Sequence, residues 1–155
     1  MEIKMDRFDY MILEELQENA KISIAELGRI IGLSTTATKE RVKKLETEGV
    51  IAGYHTLINP KKVNKGITAF ITVPVGDISV REMGDMLARL PDVVECHKVT
   101  GNTCFMVKVR SRNPEELEKL IDTINQISKN TYTYMVLSTN KETVKLNLNE
   151  ITVSD

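Results

Sequence analysis

Ser23-Ile-Ala-Glu-Leu-Gly-Arg-Ile-Ile-Gly-Leu-Ser34-Thr-Thr-Ala-Thr-Lys-Glu-Arg-Val-Lys-Lys-Leu-Glu-Thr-Glu-Gly49 decides the fold of the first third of the chain. Ser23 stands three residues before Glu26, the spacing of a capping box, and Leu27, Ile30 and Ile31 follow at helical intervals. Gly32 is placed to end this helix in a left-handed turn. Ser34 can cap again almost at once, and Ala37, Val42 and Leu45 give the next helix a narrow apolar stripe that Gly49 stops. Two helices across so short a turn form a helix-turn-helix. Upstream, Asp6 can cap a helix with Phe8, Ile12, Leu13 and Leu16 on one face. Downstream, Val50–Ile58 is rich in strand formers with Gly53 as a bend, which predicts a winged version of the motif.

Working outward, Asn59-Pro60-Lys61-Lys62 is turn-like and charged, so residues 59–66 read as a linker between a domain at 1–58 and another at 67–155. Ile67–Val75 alternates, with Ala69, Ile71, Val73 and Val75 on one face and Thr68, Phe70 and Thr72 on the other. Ser79 and Glu82 form a second capping box, starting a helix whose Met83, Met86, Leu87 and Leu90 point inward until Pro91. Val93–Val99 and Cys104–Arg110 are strands joined around Gly101-Asn102, a two-residue turn that pairs positions whose numbers sum to 203. Asn113 as cap, Pro114 at the first helical position and Glu116 start a helix carrying Leu117, Leu120, Ile121, Ile124 and Ile127. Tyr132–Leu137 completes β-α-β-β-α-β. The predicted class is α+β, a winged helix-turn-helix joined to a ferredoxin-like domain. Val144, Leu146 and Leu148 alternate in the tail as a further edge strand would.

Composition narrows the function classes. The 155 residues carry 21 Lys and Arg against 22 Asp and Glu, a net charge of −1, so any nucleic-acid surface must come from where the cations sit. No apolar run approaches the ~18 residues that span a bilayer, and Met1–Asp6 lacks a secretory pattern; the expected setting is cytoplasmic. Cys96 and Cys104 then read as reduced thiols, and their spacing matches no zinc site. The predicted register puts them on opposite sheet faces, poorly placed for a disulfide. His55 and His97 fall in different domains with no activated nucleophile beside either. No phosphate loop, dinucleotide fingerprint or metalloprotease motif occurs. The reading is of a non-enzyme with no cofactor and no metal.

The chemistry lies on two surfaces. In the third helix, Ser34, Thr35, Thr36 and Thr38 are short and polar near the N-terminus, and Lys39, Arg41, Lys43 and Lys44 follow with a single Glu40 among them. Short hydroxyl residues let a helix approach the major groove closely, while Arg and Lys reach guanine or phosphate. Double-stranded DNA is the expected partner. In the second domain two helices cover one sheet face only, so Phe70, Met106 and Tyr134 are left on the other, where a second copy can cover them around a two-fold axis. A ligand-sensing or RNA-binding module is the alternative, because RNA-recognition domains share this topology. Gly-Asn-Thr-Cys-Phe-Met-Val at 101–107, however, lacks their aromatic motif.

Met5-Asp-Arg-Phe-Asp-Tyr-Met-Ile-Leu-Glu-Glu-Leu-Gln17, Ile22-Ser-Ile-Ala-Glu-Leu-Gly28, Ile31-Gly-Leu-Ser34, Arg41-Val-Lys-Lys-Leu-Glu46, Gly49-Val-Ile-Ala-Gly-Tyr54, Leu90-Pro-Asp-Val-Val-Glu-Cys96 and Val99-Thr-Gly101 follow one another in an order that resembles the Lrp/AsnC (leucine-responsive, feast/famine) family of prokaryotic transcription regulators. The resemblance runs from about residue 5 to 141. It implies a DNA-binding unit at about 24–43 and a regulatory domain of the amino-acid-metabolism (RAM) type that dimerises through its sheet and commonly assembles to octamers. It also implies a small effector, usually an amino acid, bound at interfaces by Gly101, Asn102, Thr103 and Cys104 of the turn and Thr133, Tyr134 and Val136 of the last strand. Many members have Asp where this chain has Cys104, and a neutral thiol cannot neutralise an α-ammonium.

Overall fold

A computed structural model describes residues 4–101 and 103–148. Three helices come first: α1 (Arg7–Glu18), α2 (Ile24–Ile31) and α3 (Thr35–Thr47). Each starts where the sequence places a cap, with Asp6, Ser23 and Ser34 accepting backbone N–H groups of the first turn. Gly32 ends α2 at φ 78°, the left-handed conformation its lack of a Cβ permits. Ile12, Leu27, Ile31, Val42 and Leu45 form the core of this unit.

Close packing sets the angle between α2 and α3. A Cβ on Gly28 would stand 2.8 Å from the Leu33 carbonyl oxygen and 2.9 Å from Thr38 Oγ1, so only glycine allows the turn and α3 this near. A charge cluster fixes α1 against α3. Asp6 and Asp9 cap each other's backbone reciprocally. Arg41 Nη1 donates to Asp6 Oδ1 at 2.9 Å and to Asp9 Oδ1 at 2.8 Å, and its guanidinium lies 5.4 Å from the centre of the Phe8 ring. The Asp9 side chain is only 3% exposed, against 30% for Arg41. Partial burial pushes the Asp6 carboxyl up, but hydrogen bonds from Arg41 and from the Asp9 and Phe8 N–H groups outweigh it and hold it below its ordinary value.

The expected wing does not form. Residues 50–58 contain no strand: the Val50 and Ile51 N–H groups are both used on the Leu45 carbonyl, closing the end of α3. Tyr54 donates its hydroxyl to Glu46 at 2.9 Å. Burial and that carboxylate push its pKa up to about 12. Leu57 and Ile58 beyond it are exposed and pair with no strand among the described residues.

After a 3₁₀ turn at Pro60–Val63 come β1 (Ile67–Val73), α4 (Val80–Ala88), β2 (Val93–Lys98), β3 (Phe105–Ser111), α5 (Pro114–Ile127) and β4 (Tyr132–Met135). The strands form one antiparallel sheet in the order β2-β3-β1-β4, the ferredoxin-like arrangement. Cys96 pairs with Val107, His97 with Met106 and Lys98 with Phe105, all summing to 203, until a bulge between Val93 and Glu95 shifts the register. Ala69, Ile71, Val73, Val107 and Val109 face Met83, Leu87, Leu117, Leu120 and Ile124 of the two helices in the core. Met86, expected inward, is 43% exposed. Cys104, expected on the face opposite Cys96, is buried in the same core that Cys96 packs against. It lies one residue before β3, where strand alternation has not begun. Both thiols are free.

The compact units are residues up to Thr56 together with the chain from Glu142 on, and Leu57–Lys141. Up to Leu148, the last described residue, the tail contains no strand, contrary to its alternation. Its Leu146 peptide is held on both sides by one amide of α1: Gln17 Nε2 donates to the Leu146 carbonyl at 3.2 Å, and the Leu146 N–H donates to Gln17 Oε1 at 2.6 Å. Lys145 pairs with Glu18 beside it.

Arg41→Ala leaves Asp9 out of water without its cation. The expected loss is about 1–3 kcal/mol of stability, read by urea unfolding of the full chain. Because the Asp6 carboxyl is held below its ordinary value in the folded state, its contribution is complete at neutral pH and is lost as pH falls through the lowered value. The variant should show a flatter acid limb than the parent.

Candidate nucleic-acid interface

Helix α3 is rotated about its axis by what it buries. Thr38, Val42 and Leu45 are out of water, and Arg41 beside them is held by Asp6 and Asp9. At about 100° per residue, the opposite side carries Thr36, Glu40, Lys43 and Thr47, with Lys39 and Lys44 on its two shoulders. All six are exposed, as is Thr35 in the first turn.

Of the eight residues the sequence puts on DNA, Thr36, Lys39, Lys43 and Lys44 are presented together on this side, and Thr35 is exposed at the start of the helix. Ser34 is at its N-terminal edge, where its Oγ accepts the Ala37 N–H at 3.2 Å. Two are corrected. Thr38 is fully buried and donates to the Ser34 carbonyl at 2.9 Å, because Gly28 brings α2 against it. Arg41 spends its guanidinium on two carboxylates of its own chain. The case for DNA thus rests on three lysines and two threonines. The same side also carries Glu40 and Thr47, which lie outside the eight residues; the buried positions 38, 42 and 45 fix their outward bearing. Beside α3, Lys4, Met5, Asp6, Asp9, Ala37, Glu40, Arg41 and Lys44 line a cleft of about 610 Å³.

The residues expected to hold an effector are not gathered within one chain. Gly101 is exposed at φ 113° and Thr103 is half-buried, while Asn102 lies outside the described residues. Cys104 is 7% exposed and its N–H donates to the Val73 carbonyl, which sets the turn against the end of β1. Its thiol belongs to the core and is not offered at the surface. Thr133 and Tyr134 on β4 are exposed and pair with Ile71 and Phe70, whereas the Val136 N–H bonds to the Thr68 carbonyl near the other end of β1. From Val73 to Thr68 the strand runs about 17 Å at its usual rise.

The sheet face away from the helices carries two rows across all four strands: Glu95, Lys108, Phe70 and Tyr134, and His97, Met106, Thr72 and Tyr132. Tyr132, Tyr134 and Met106 are exposed, and the Lys108 ammonium lies 6.0 Å from the Phe70 ring centre while bonding Glu95 at 3.0 Å. That bond, above the opposing effect of burial, holds the Glu95 carboxyl below its ordinary range.

Comparison with known proteins covers both units. Residues 5–46 match the AsnC-type helix-turn-helix domain, and residues 68–146 match the Lrp/AsnC ligand binding domain. The chain is 35% identical over 148 residues to the HTH-type transcriptional regulator FL11 of Pyrococcus horikoshii, covering 94% of this chain and 98% of that one. It is 32% identical over 138 residues to the HTH-type transcriptional regulator LrpC of Bacillus subtilis, covering 88% and 94%. Among solved structures, the transcriptional regulator NMB0573 of Neisseria meningitidis in complex with L-Met superposes with a TM-score of 0.88 at 29% identity, covering 94% of this chain and 97% of that one. The match of the first unit to a DNA-binding model displaces the alternative of a module without DNA recognition. The chain belongs to the Lrp/AsnC family of helix-turn-helix transcription regulators.

Proposed function

We propose that the chain reads operator DNA as a homodimer, each protomer laying α3 in a major groove. The observation that carries this reading is the outward band of α3, where Thr36, Lys39, Lys43 and Lys44 are exposed together, with Thr35 exposed at the helix start, while the other side is fixed by burial and by Arg41. Lysine ammonium groups at its middle and end suit phosphates, and the threonines of its first turn are short enough to approach base edges. Two such helices meet successive grooves about 34 Å apart.

The sheet face built from Phe70, Met106, Tyr132 and Tyr134 supports dimerisation, since its exposed aromatic and thioether groups are covered when a second copy packs on it. Dimers then associate further, to octamers. An amino acid or related metabolite is the effector class, in keeping with the L-Met complex of the meningococcal relative. Gly101, Thr103, Thr133, Tyr134 and Val136 are spread over one chain and, with Asn102, suit a site completed between chains, and the ligand acts by favouring one assembly over another. The protein works in the cytoplasm, without metal or cofactor.

Two measurements test this. Lys43→Ala should weaken binding similarly on all duplexes and lower the slope of log affinity against log salt by about one per half-site, with unfolding unchanged. An unchanged slope removes Lys43 from the interface. In a thermal-shift series over single amino acids beginning with L-methionine, a ligand at 100 times its Kd should stabilise by about 2.7 kcal/mol. No shift with any amino acid counts against that effector class.

A further inference from the structure

Glu40 is the one carboxylate in the middle of a surface that is otherwise suited to a polyanion. It stands one turn from Thr36 and one turn from Lys43 and Lys44 on the outward side of α3, and it is exposed. The plain explanation for such a glutamate is an ion pair with a lysine three or four residues on. This chain makes pairs of that kind elsewhere, between Glu26 and Arg29 and between Arg112 and Glu116. Glu40 makes none: among the described residues its side chain has no hydrogen bond and no ion pair. Facing a phosphate it is repelled, so its presence there is unfavourable unless a donor on a base edge meets it.

The major groove offers two such donors, the amino groups of cytosine and adenine. Adenine sets its N7 acceptor beside its amino group, against which a carboxylate with no proton to give is repelled. Cytosine sets its amino group beside an apolar C5–H. Guanine and thymine present O6 and O4, acceptors that a carboxylate rejects. Resting on the groove reading proposed above, we propose that Glu40 is a specificity-determining residue that accepts a hydrogen bond from a cytosine amino group, so that each half-site holds a G·C pair of fixed orientation under the middle of α3. Selection works largely by rejection of the other three bases.

The test is selection of duplexes from a randomised pool by the full-length protein, its Glu40→Ala and Glu40→Gln variants, and Lys43→Ala as control. The parent should fix a cytosine in each half-site. Glu40→Ala should release that position to all four bases while keeping the rest of the motif, and Glu40→Gln should move it toward adenine, which a side-chain amide reads with both its groups. The ratio of affinities for the parent's operator and for duplexes with another base at that position should fall about 5- to 150-fold in Glu40→Ala. N4-methylation of that cytosine should weaken the parent and leave the alanine variant unaffected. If both Glu40 variants select the parent's motif while Lys43→Ala lowers the salt slope by about one per half-site, Glu40 does not read a base and the groove reading stands. If neither position alters binding, both fall.

Discussion

One guanidinium has to satisfy two carboxylates, one of them almost out of water. Asp9 is buried at the first turn of α1, where the Asp6 N–H donates to one of its carboxylate oxygens and Arg41 reaches the other from α3. Asp6, which caps the same turn, holds the second edge of the guanidinium. The bridge joins chain positions 35 apart, and it fixes both the start of α1 and the rotation of α3. Gly28 adds the second restraint, admitting Thr38 where any Cβ would collide. With Thr38, Val42 and Leu45 turned in, the side of α3 that carries Thr36, Glu40 and Lys43 can only be outside.

In the second unit the governing constraint is coverage. Two helices bury one face of four strands, and strand alternation then sends every other residue of β1 and β3 to the opposite face. The surface left over is organised. Glu95 holds the Lys108 ammonium over the Phe70 ring, so a cation that would otherwise oppose burial of this face is already neutralised. The edge strand β4 is exposed throughout. At the centre of this face Phe70 and Met106 stand beside Lys108 and Thr72, with the lysine's charge already met by Glu95.

Much of this was legible because it is local. Caps at Asp6, Ser23, Ser34, Ser79 and Asn113 depend on residues two or three positions apart, and all five are used. The β2–β3 register followed from the site of one turn. What escaped depends on distant partners. Arg41 reads as a DNA contact until Asp6 and Asp9 are brought beside it. Thr38 reads as a surface hydroxyl until Gly28 closes over it. Val50–Ile58 and the alternating tail have the composition of strands, but a strand needs a neighbour to bond, and the backbone groups of Val50, Ile51 and Leu146 are engaged elsewhere. Glu40 was visible yet passed over as a lone negative charge in a basic helix.

The return of the tail to α1 makes Leu57–Lys141 an insertion within the unit that carries α3. Its β1 and β4 are bonded neighbours, so the points where the chain enters and leaves this sheet are held at a set separation. An unfolded spacer of the same length would scatter its ends widely, and closing that loop would be entropically expensive. The folded insertion removes most of this expense and keeps the residues around Leu146 concentrated near Gln17.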